Sequence, residues 1–478
     1  MFLPRTRAAV AGAVAAPTAT TTVASSLAVA AAATTTTTKT TTTTTGDAAP
    51  PPVEALELRH ASQCLRLGHL HAGRDFNRAR WDPVASNCFL DDRAWRAVDA
   101  LARACVKGGS STTTTTTSAT TLGAALSMPD ARVDDGFGKC SEQNKHRPGR
   151  RAFKARVWYH GPSFAGFAWN PAFDADADAD AGTSTWTPGA RSVSCALTHA
   201  LAPLLDKNTR PISSAGRTDR GVHAVASAVS FWTRREDVDA EDVERAVANS
   251  PPGRAGALRV TDVCEAPHSF HATFSATYRR YVYVVPKTQL FREERTPRAS
   301  MDVDVANRLL SRLVNRGEVD MYAFARAMPE GKSTNVRFVV ARAFERTIDT
   351  SDLAFGLRAE DGADEAMARA NRRGRAAVTR ECALSADDHA SASSPTTTTS
   401  ADVIVIELIA DRFLRKLVRC LVSTTCREAA NFAGDDDVLL HIASTRDRRA
   451  VAPPAPPVGL FFAGVSYSDD FETTRESS

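Results

Sequence analysis

Residues 215–224 read Ala-Gly-Arg-Thr-Asp-Arg-Gly-Val-His-Ala. This stretch places one carboxylate, Asp219, in a short turn bracketed by two glycines, which permit positive φ and a close approach of the backbone. The segments on either side, 210–214 and 225–233, have the composition of short strands. The pattern therefore predicts a strand–turn–strand unit in which a carboxylate projects from rigid supports.

Two arginines flank this carboxylate, Arg217 on one side and Arg220 on the other. We expect their positive charges to keep Asp219 ionised. An ionised and immobilised carboxylate is suited to act as a nucleophile or a general base. An aspartate in a glycine-containing turn is more often a turn former that bonds its own backbone, so the turn needs support from the rest of the chain.

The composition is that of a soluble globular protein with two or three domains: 478 residues, 43% hydrophobic and 24% charged. The 59 basic and 55 acidic side chains leave a net charge of +4, so any affinity for nucleic acid has to come from local basic clusters. The nine cysteines show no CxxC spacing, which favours a reducing compartment and predicts no metal site. No apolar run approaches the roughly 20 residues of a membrane span, so no membrane partner is expected.

The first 150 residues differ from the rest. Residues 1–46 are rich in Ala and Thr, with three basic and no acidic side chains, which is the composition of an organellar transit peptide for chloroplast or mitochondrion. A low-complexity expansion in a cytoplasmic or nuclear protein is the alternative. Residues 47–150 are unassigned: a helix is predicted over 94–106, and 107–150 read as a linker.

From residue 151 the chain alternates regularly between strands and helices. Strands are predicted over 152–159, 258–263, 277–285, 336–346 and 403–409, and helices over 193–205, 239–250, 305–315 and 412–427. This order predicts an α+β fold, in which two similar halves (151–285 and 286–469) form a mixed or antiparallel sheet flanked by helices. A charged, Ser/Thr-rich insertion occupies 359–401, and 470–478 form a polar tail.

Two further stretches carry candidate functional side chains. Residues 270–281 (Phe-His-Ala-Thr-Phe-Ser-Ala-Thr-Tyr-Arg-Arg-Tyr) interleave aromatic rings with arginines, a combination that can stack on bases and contact phosphates. A strand with its tyrosines in the core is the structural alternative. Residues 413–419 (Phe-Leu-Arg-Lys-Leu-Val-Arg) place Arg419 beside an apolar helical stripe, where an unpaired cation would be costly. Arg419 therefore requires an anionic partner.

These stretches resemble, in order, the motifs of the TruA family of tRNA pseudouridine synthases. The opening motif, Tyr159-His160-Gly161 followed by Phe164-Ala165-Gly166-Phe167, is similar to the family's Tyr-Asp-Gly…Gly-Trp-Gln and departs from it at His160, Phe167 and Ala168. The closing stretch, 453–467, is similar to the family's last strand. The resemblance spans about residues 151–469.

The resemblance implies the pseudouridine synthase fold with a central RNA-binding cleft, and an isomerase that needs no cofactor or metal. Its substrate would be tRNA, at uridines on the 3′ side of the anticodon stem-loop (the class at tRNA positions 38–40), and it would work as a homodimer. The implied catalytic residues are Asp219, its partner Arg419, and Tyr281, which packs against the target base. The candidate RNA-binding residues are Arg217, Arg220, His223, Arg279, Arg280 and Arg415.

Several alternatives stay open at the level of sequence. Asp219 could act as the nucleophile or as the base that starts cleavage of the glycosidic bond. The chain could be a non-catalytic tRNA-binding protein or chaperone on the same fold. A hydrolase that uses Asp219 and releases free uracil is a third reading, although no second carboxylate lies nearby in the sequence to activate water.

Overall fold

The protein is described by a computed structural model over residues 83–108, 137, 150–174, 187–205, 212–289, 300–349, 400–432 and 434–467. The predicted transit peptide (1–46), nearly all of the predicted linker (107–150), the insertion (359–401) apart from its last two residues, and the polar tail (470–478) lie outside these residues. They stay predictions.

The described part of the chain alternates helices and strands as the sequence predicts. The helices are α1 (Pro83–Asp91), α2 (Arg96–Lys107), α3 (Pro171–Asp174), α4 (Val193–Leu201), α5 (Ala240–Ala248), α6 (Pro251–Arg254), α7 (Val303–Arg316), α8 (Leu417–Ala430) and α9 (Val438–Thr445). The strands are β1 (Arg151–Tyr159), β2 (Ser213–Ser214), β3 (His223–Thr233), β4 (Leu258–Glu265), β5 (Tyr278–Pro286), β6 (Glu318–Asp320), β7 (Asn335–Asp349), β8 (Ser400–Ala410) and β9 (Leu460–Ser466). Three 3₁₀ helices cover Gly161–Ser163, Tyr322–Phe324 and Pro457–Gly459.

Local sequence fixes where several helices begin. The Ser192 hydroxyl accepts a hydrogen bond from the Cys195 amide at the start of α4. Asp239 caps α5 in a reciprocal capping box with Asp242, and Asp302 caps α7. Each cap satisfies amides that have no partner inside the helix, which is worth about 1 kcal/mol.

The nine strands of the described residues form one sheet in the order β4-β1-β3-β9-β5-β8-β7-β6, with β2 paired to β3. The pairings are antiparallel except that of β3 with β9, which is parallel. Every residue of β9 is buried, because this strand lies in the middle of the sheet. The α+β class with a mixed sheet flanked by helices is confirmed.

The last strand joins the two halves of the sheet. β9 pairs with β3 on one side and with β5 on the other. The division by sequence placed residues 277–285 in the first half, whereas β5 pairs with β8 of the second half. A strand's composition does not reveal its partners, and the boundary between the two halves stays a prediction.

One predicted helix begins later than expected. The sequence predicts a helix over 412–427, but α8 runs from Leu417 to Ala430. Lys416 adopts a left-handed conformation, with φ of +63°, and this ends the loop that carries Arg415. Arg415 and Arg419 therefore do not share a helix, although the helix predicted over 412–427 contains both.

The helices before residue 108 belong to the body of the protein. The predicted helix over 94–106 is α2, and α1 precedes it without having been predicted. Trp95, between the two helices, is fully buried, and its ring meets that of Tyr283 edge to face at 6.2 Å. Arg93 donates to the carbonyl oxygens of Pro286 and Lys287. α2 also contacts β1, β3 and β4.

None of the helices in the described ranges is both long and apolar enough to cross a membrane.

Candidate active site

Asp219 lies in the turn between β2 and β3. The Val222 amide donates to the Asp219 carbonyl oxygen at 3.2 Å, and Gly221 adopts φ of +82°, a conformation that side chains other than glycine's strongly disfavour. β3 begins immediately afterwards at His223. The predicted strand–turn–strand unit is thus present, and the carboxylate of Asp219 is 27% exposed.

Arg419 is the partner of this carboxylate. Its Nη1 lies 3.0 Å from Oδ2 of Asp219, although the two residues are 200 positions apart. Its Nε donates to the carbonyl oxygen of Ala455 at 2.7 Å, and the Ala455 amide donates back to the carbonyl oxygen of Arg419. Arg419 is only 11% exposed. A guanidinium held at two points in this way fixes the direction of the carboxylate as well as pairing its charge.

The arginines next to Asp219 do not provide this pairing. Arg217 and Arg220 are both exposed, and in the described part of the chain the ion pair to Asp219 comes from Arg419 alone. The expectation that the charges of Arg217 and Arg220 keep Asp219 ionised stays a prediction. The expectation that Arg419 needs an anionic partner agrees with the structure.

Aromatic side chains form a wall beside the turn. The ring of Tyr281 stacks on that of Phe462 at 4.7 Å with an interplanar angle of 10°, and meets the edge of Phe413 at 4.8 Å. Burial raises the pKa of Tyr281 well above its usual range, and the nearby charge of Asp219 acts in the same direction. Tyr281 is therefore a neutral phenol at physiological pH.

Gly216 lets the turn lie against this wall. A Cβ atom at position 216 would stand 2.9 Å from the ring of Phe462 and 3.4 Å from the Tyr281 hydroxyl. The first of these distances is shorter than real side chains allow. Glycine is needed here for close packing.

Three of the six candidate RNA-binding residues are engaged inside the protein. His223 is fully buried and bonded to Gly161 and Val458. Arg280 is 2% exposed and pairs with the buried Glu407.

Arg279 donates to four carbonyl oxygens, those of Thr273, Ala215, Ala276 and Asp411. The assignment of His223 and Arg280 to RNA contact is therefore corrected, because both are buried and their polar atoms are already used by the fold. Arg279 is half-buried, and its contact with RNA stays a prediction. Arg217, Arg220 and Arg415 are exposed, and their contact with RNA stays a prediction.

A loop with an exposed aromatic ring is attached to the strand before the turn. The Thr273 hydroxyl donates to the Ser214 carbonyl oxygen at 2.6 Å, and Oγ of Ser213 lies 3.2 Å from Nε2 of His271. Phe274 follows, 85% exposed, with its ring 4.4 Å from that of His271. The loop offers an apolar face to solvent near the site.

Two residues that support the site, Ala455 and Asp99, were not predicted from the sequence. Ala455 acts through its backbone, which no composition reveals. Asp99, discussed below, carries a usable signal: it is an acidic residue amid Val98, Leu101 and Ala102 on the buried face of α2, where an acid needs a partner.

The site combines one oriented carboxylate, its arginine and a buried tyrosine at the centre of a mixed sheet. No group of three or more His, Cys, Asp or Glu side chains among the described residues could hold a metal ion. This arrangement on this α+β sheet is the one expected of a pseudouridine synthase.

Comparison with known proteins identifies the family. No family model matches the chain. It is similar to the protein named tRNA pseudouridine synthase A of Listeria monocytogenes serotype 4a (strain HCC23), at 23% identity over 283 residues, which cover 59% of this chain and 91% of the relative. The protein of the same name from Listeria welshimeri serovar 6b is 31% identical over 173 residues, 35% of this chain and 67% of the relative. That of Synechococcus sp. (strain CC9902) is 42% identical over 99 residues, 20% and 31% of the two chains. The chain belongs to the TruA family of tRNA pseudouridine synthases.

Proposed function

We propose that this protein isomerises uridine to pseudouridine in tRNA, at uridines on the 3′ side of the anticodon stem-loop. The observation that carries the proposal is the ion pair between Asp219 and Arg419 beside the buried Tyr281. The names of the relatives support the reaction and the class of substrate. The position within tRNA rests on the resemblance of motifs and on the cost of base flipping.

The reaction rearranges atoms within one nucleotide. The bond from N1 of uracil to C1′ of the ribose breaks, the base turns, and C5 bonds to C1′ as it loses its proton, while N1 gains one. Nothing is oxidised or reduced. The chain therefore has to supply a group that starts bond cleavage, a pocket that retains the detached base, and a route for one proton.

Each side chain of the site has a task in this reaction. Asp219 acts as the nucleophile at the ribose or as the base that initiates cleavage, and Arg419 holds its carboxylate in the reacting direction. Tyr281, a neutral phenol, packs against the uracil and assists the transfer of the C5 proton. Phe462 covers one face of the Tyr281 ring, so the tyrosine has little freedom to move when the base enters.

The proposed target follows from the accessibility of the uridine. The turn can reach the sugar only if the nucleotide leaves its helical stack, and this costs a few kcal/mol, less in a loop than in a paired stem. Arg217, exposed beside Asp219, would occupy the space that the flipped nucleotide leaves. Phe274 offers an unpaired base a surface on which to stack.

The test uses the purified protein and an unmodified tRNA transcript. Carbodiimide labelling followed by primer extension maps pseudouridine to single positions, and isomerisation leaves the mass of the tRNA unchanged. Product at the 3′ side of the anticodon stem-loop supports the proposal in full, whereas product elsewhere contradicts the position. Release of free uracil would indicate a hydrolase, and binding without conversion would indicate a tRNA-binding protein.

We further propose that the protein acts as a homodimer and that residues 1–46 direct it to an organelle. The first proposal rests on the resemblance and the second on composition. Sedimentation of the purified protein tests the homodimer. A fusion of residues 1–46 to a fluorescent protein tests the localisation, and diffuse cytoplasmic or nuclear fluorescence would contradict targeting to an organelle.

A further inference from the structure

A buried polar cluster links helix α2 to the first strand. Oδ1 of Asp99 lies 2.7 Å from Nε2 of His160, and Nδ1 of His160 lies 2.8 Å from the Ser163 hydroxyl. The side chains of Asp99 and His160 are 9% and 2% exposed. Burial by itself would raise the pKa of Asp99, but the hydrogen bonds from His160 and Arg103, together with their charges, outweigh it and lower the pKa. Asp99 is therefore a buried carboxylate whose charge is matched by its partners.

This cluster fixes the segment that supports the catalytic turn. His160 immediately precedes the 3₁₀ helix Gly161–Ser163. Gly161 presses against the turn so closely that a Cβ atom there would stand 2.5 Å from the backbone of Gly221 and Val222. The Val222 amide in turn bonds the Asp219 carbonyl oxygen. Any displacement of residues 160–163 is thus transmitted directly to the backbone that carries Asp219.

His223 stabilises the same contact between Gly161 and the turn. Its Nδ1 accepts from the Gly161 amide at 3.1 Å, and its Nε2 donates to the Val458 carbonyl oxygen at 3.1 Å. Burial lowers the pKa of His223 to about 3, so the ring is neutral and can accept at one nitrogen while donating at the other. The turn is held between Gly161 on one side and Pro457, which lies against Gly221, on the other.

Position 160 is one of three places at which this chain departs from the family's opening motif. The family has aspartate there, whereas this chain has histidine. The carboxylate that pairs with His160 comes from α2, which lies outside the residues 151–469 that resemble the family. Histidine at 160 and Asp99 on α2 are therefore two parts of one arrangement, because either alone would leave Nε2 of His160 or Oδ1 of Asp99 buried without its partner.

We propose that Asp99 and His160 are positioning residues for the catalytic turn, and that α2 is a buttress through which residues before the family-like domain set the orientation of Asp219. Neither residue touches the substrate. Their contribution is to the rate of the chemical step, because a carboxylate displaced by about 1 Å can lose about a hundredfold in rate. The inference rests on the proposed function.

The test compares full-length variants by single-turnover rate, tRNA Kd and Tm. Asp99→Ala and His160→Ala are expected to lower the rate of pseudouridine formation about tenfold to a hundredfold, with Kd within about twofold of the wild type, and the double variant is expected to be no slower than the worse single one. Asp99→Asn keeps the acceptor atom and should restore most of the rate. Arg103→Ala is the matched control, since it removes the exposed partner of Asp99 and leaves the bond to His160.

Wild-type rates in Asp99→Ala and His160→Ala would overturn the proposal, as would a loss of rate in Asp99→Asn equal to that in Asp99→Ala. If the alanine variants fail to fold, Ser163→Ala decides, because it removes only the bond to Nδ1. It is expected to lose rate while the protein stays folded, with Tm lowered by only a few degrees, and an unchanged rate would contradict the inference. Hydrogen exchange of the turn, residues 219–223, gives a readout independent of activity. Asp99→Ala or, where that does not fold, Ser163→Ala should speed exchange there even if the wild type forms no pseudouridine, which separates failure of this proposal from failure of the proposed function.

Discussion

At the scale of the residue, Asp219 depends on a cation that reaches it from a distant helix. The flanking Arg217 and Arg220 are exposed, while Arg419 is held between the carboxylate and the Ala455 carbonyl oxygen. The geometry of the ion pair is therefore set by tertiary structure. Substitutions at the two ends of this pair should affect the rate far more than substrate binding.

Asp219→Asn is expected to lower the rate of pseudouridine formation by about a thousandfold or more, because an amide is neither a nucleophile nor a base. Binding of tRNA should stay within about threefold of the wild type, since the side chain keeps its shape. The measurement is carbodiimide mapping alongside a filter-binding Kd. Asp237→Asn, at an exposed carboxylate, is the control. An active Asp219→Asn enzyme would refute the role of Asp219.

Arg419→Lys keeps the positive charge but loses the guanidinium group, whose Nε and Nη1 bond two partners at once. One ammonium group cannot reach both Asp219 and the Ala455 carbonyl oxygen, so the carboxylate loses its fixed direction. We expect kcat to fall about a hundredfold with KM nearly unchanged. Arg415→Lys, the same exchange at an exposed position of the preceding loop, should leave kcat alone. Equal effects of the two substitutions on kcat would show that the two-point bonding of the Arg419 guanidinium does not contribute to the rate.

At the scale of the element, helices α1 and α2 are part of the core that supports the site. Trp95 packs against Tyr283 on β5 and against Gly459, just before β9. These are the strands that carry Tyr281 and Phe462. The segment before the family-like domain is thus fastened to the centre of the sheet.

Removing this anchor should destabilise the whole body. Trp95→Ala is expected to cost about 3–5 kcal/mol, because it leaves a large cavity and breaks the bond from Nε1 to the Leu90 carbonyl oxygen. Urea unfolding measures the change. Trp169→Ala, at a residue 55% exposed, should cost less than about 0.5 kcal/mol. A similarly small loss at Trp95 would mean that α1 and α2 are not integral to the core.

The buried His223, which supports the turn, should make the free energy of unfolding depend on pH. The pKa of His223 falls from 6.5 to about 3 through burial, so below pH 6.5 the unfolded chain takes up a proton that the folded chain refuses. Its contribution to stability is complete above pH 6.5 and is lost as pH falls towards 3.

His223→Gln removes this titration while keeping one donor and one acceptor. Between pH 7 and pH 5 the wild type should lose about 2 kcal/mol more of its unfolding free energy than this variant. Urea unfolding at the two pH values measures the difference. Parallel losses in the two proteins would contradict the neutral, buried state of His223.

At the scale of the whole molecule, the site lies where the halves of the sheet meet. The parallel pairing of β3 with β9 sets Ala224 beside Phe462, and β5 brings Tyr281 to the other side of β9. The turn before β3, strands β5 and β9, and α8 with its Arg419 converge there. Exposed arginines around this point, Arg220 and Arg415, are then available to phosphates.

The salt dependence of tRNA binding measures whether Arg220 and Arg415 contact phosphates. Removing one arginine that binds a phosphate should reduce the slope of log Kd for tRNA against log salt concentration by about 1. The double variant Arg220→Gln/Arg415→Gln is therefore expected to reduce the slope by about 2. Arg245→Gln, which removes a surface arginine paired with Asp242, serves as the control. An unchanged slope in the double variant would exclude both arginines from binding phosphate.

The order of residues along the chain was enough to predict most of the longer elements and the turn that carries Asp219. Alternating strand and helix patterns, helix caps and the glycines around Asp219 are local properties, since each depends on neighbours a few residues away. Most strands and helices therefore lie within a few residues of their predicted positions. The need of Arg419 for an anion was also readable, because a cation beside an apolar stripe is costly wherever the chain goes.

Which side chains meet became known only from the folded arrangement. Arg279 and Arg280 have the composition of an RNA-binding surface, yet the fold uses them for backbone carbonyls and for Glu407. The pairing of Asp99 with His160 and the central place of β9 were hidden for the same reason. Contacts between distant residues depend on strand order and register, and a chain read in one dimension carries no direct record of either.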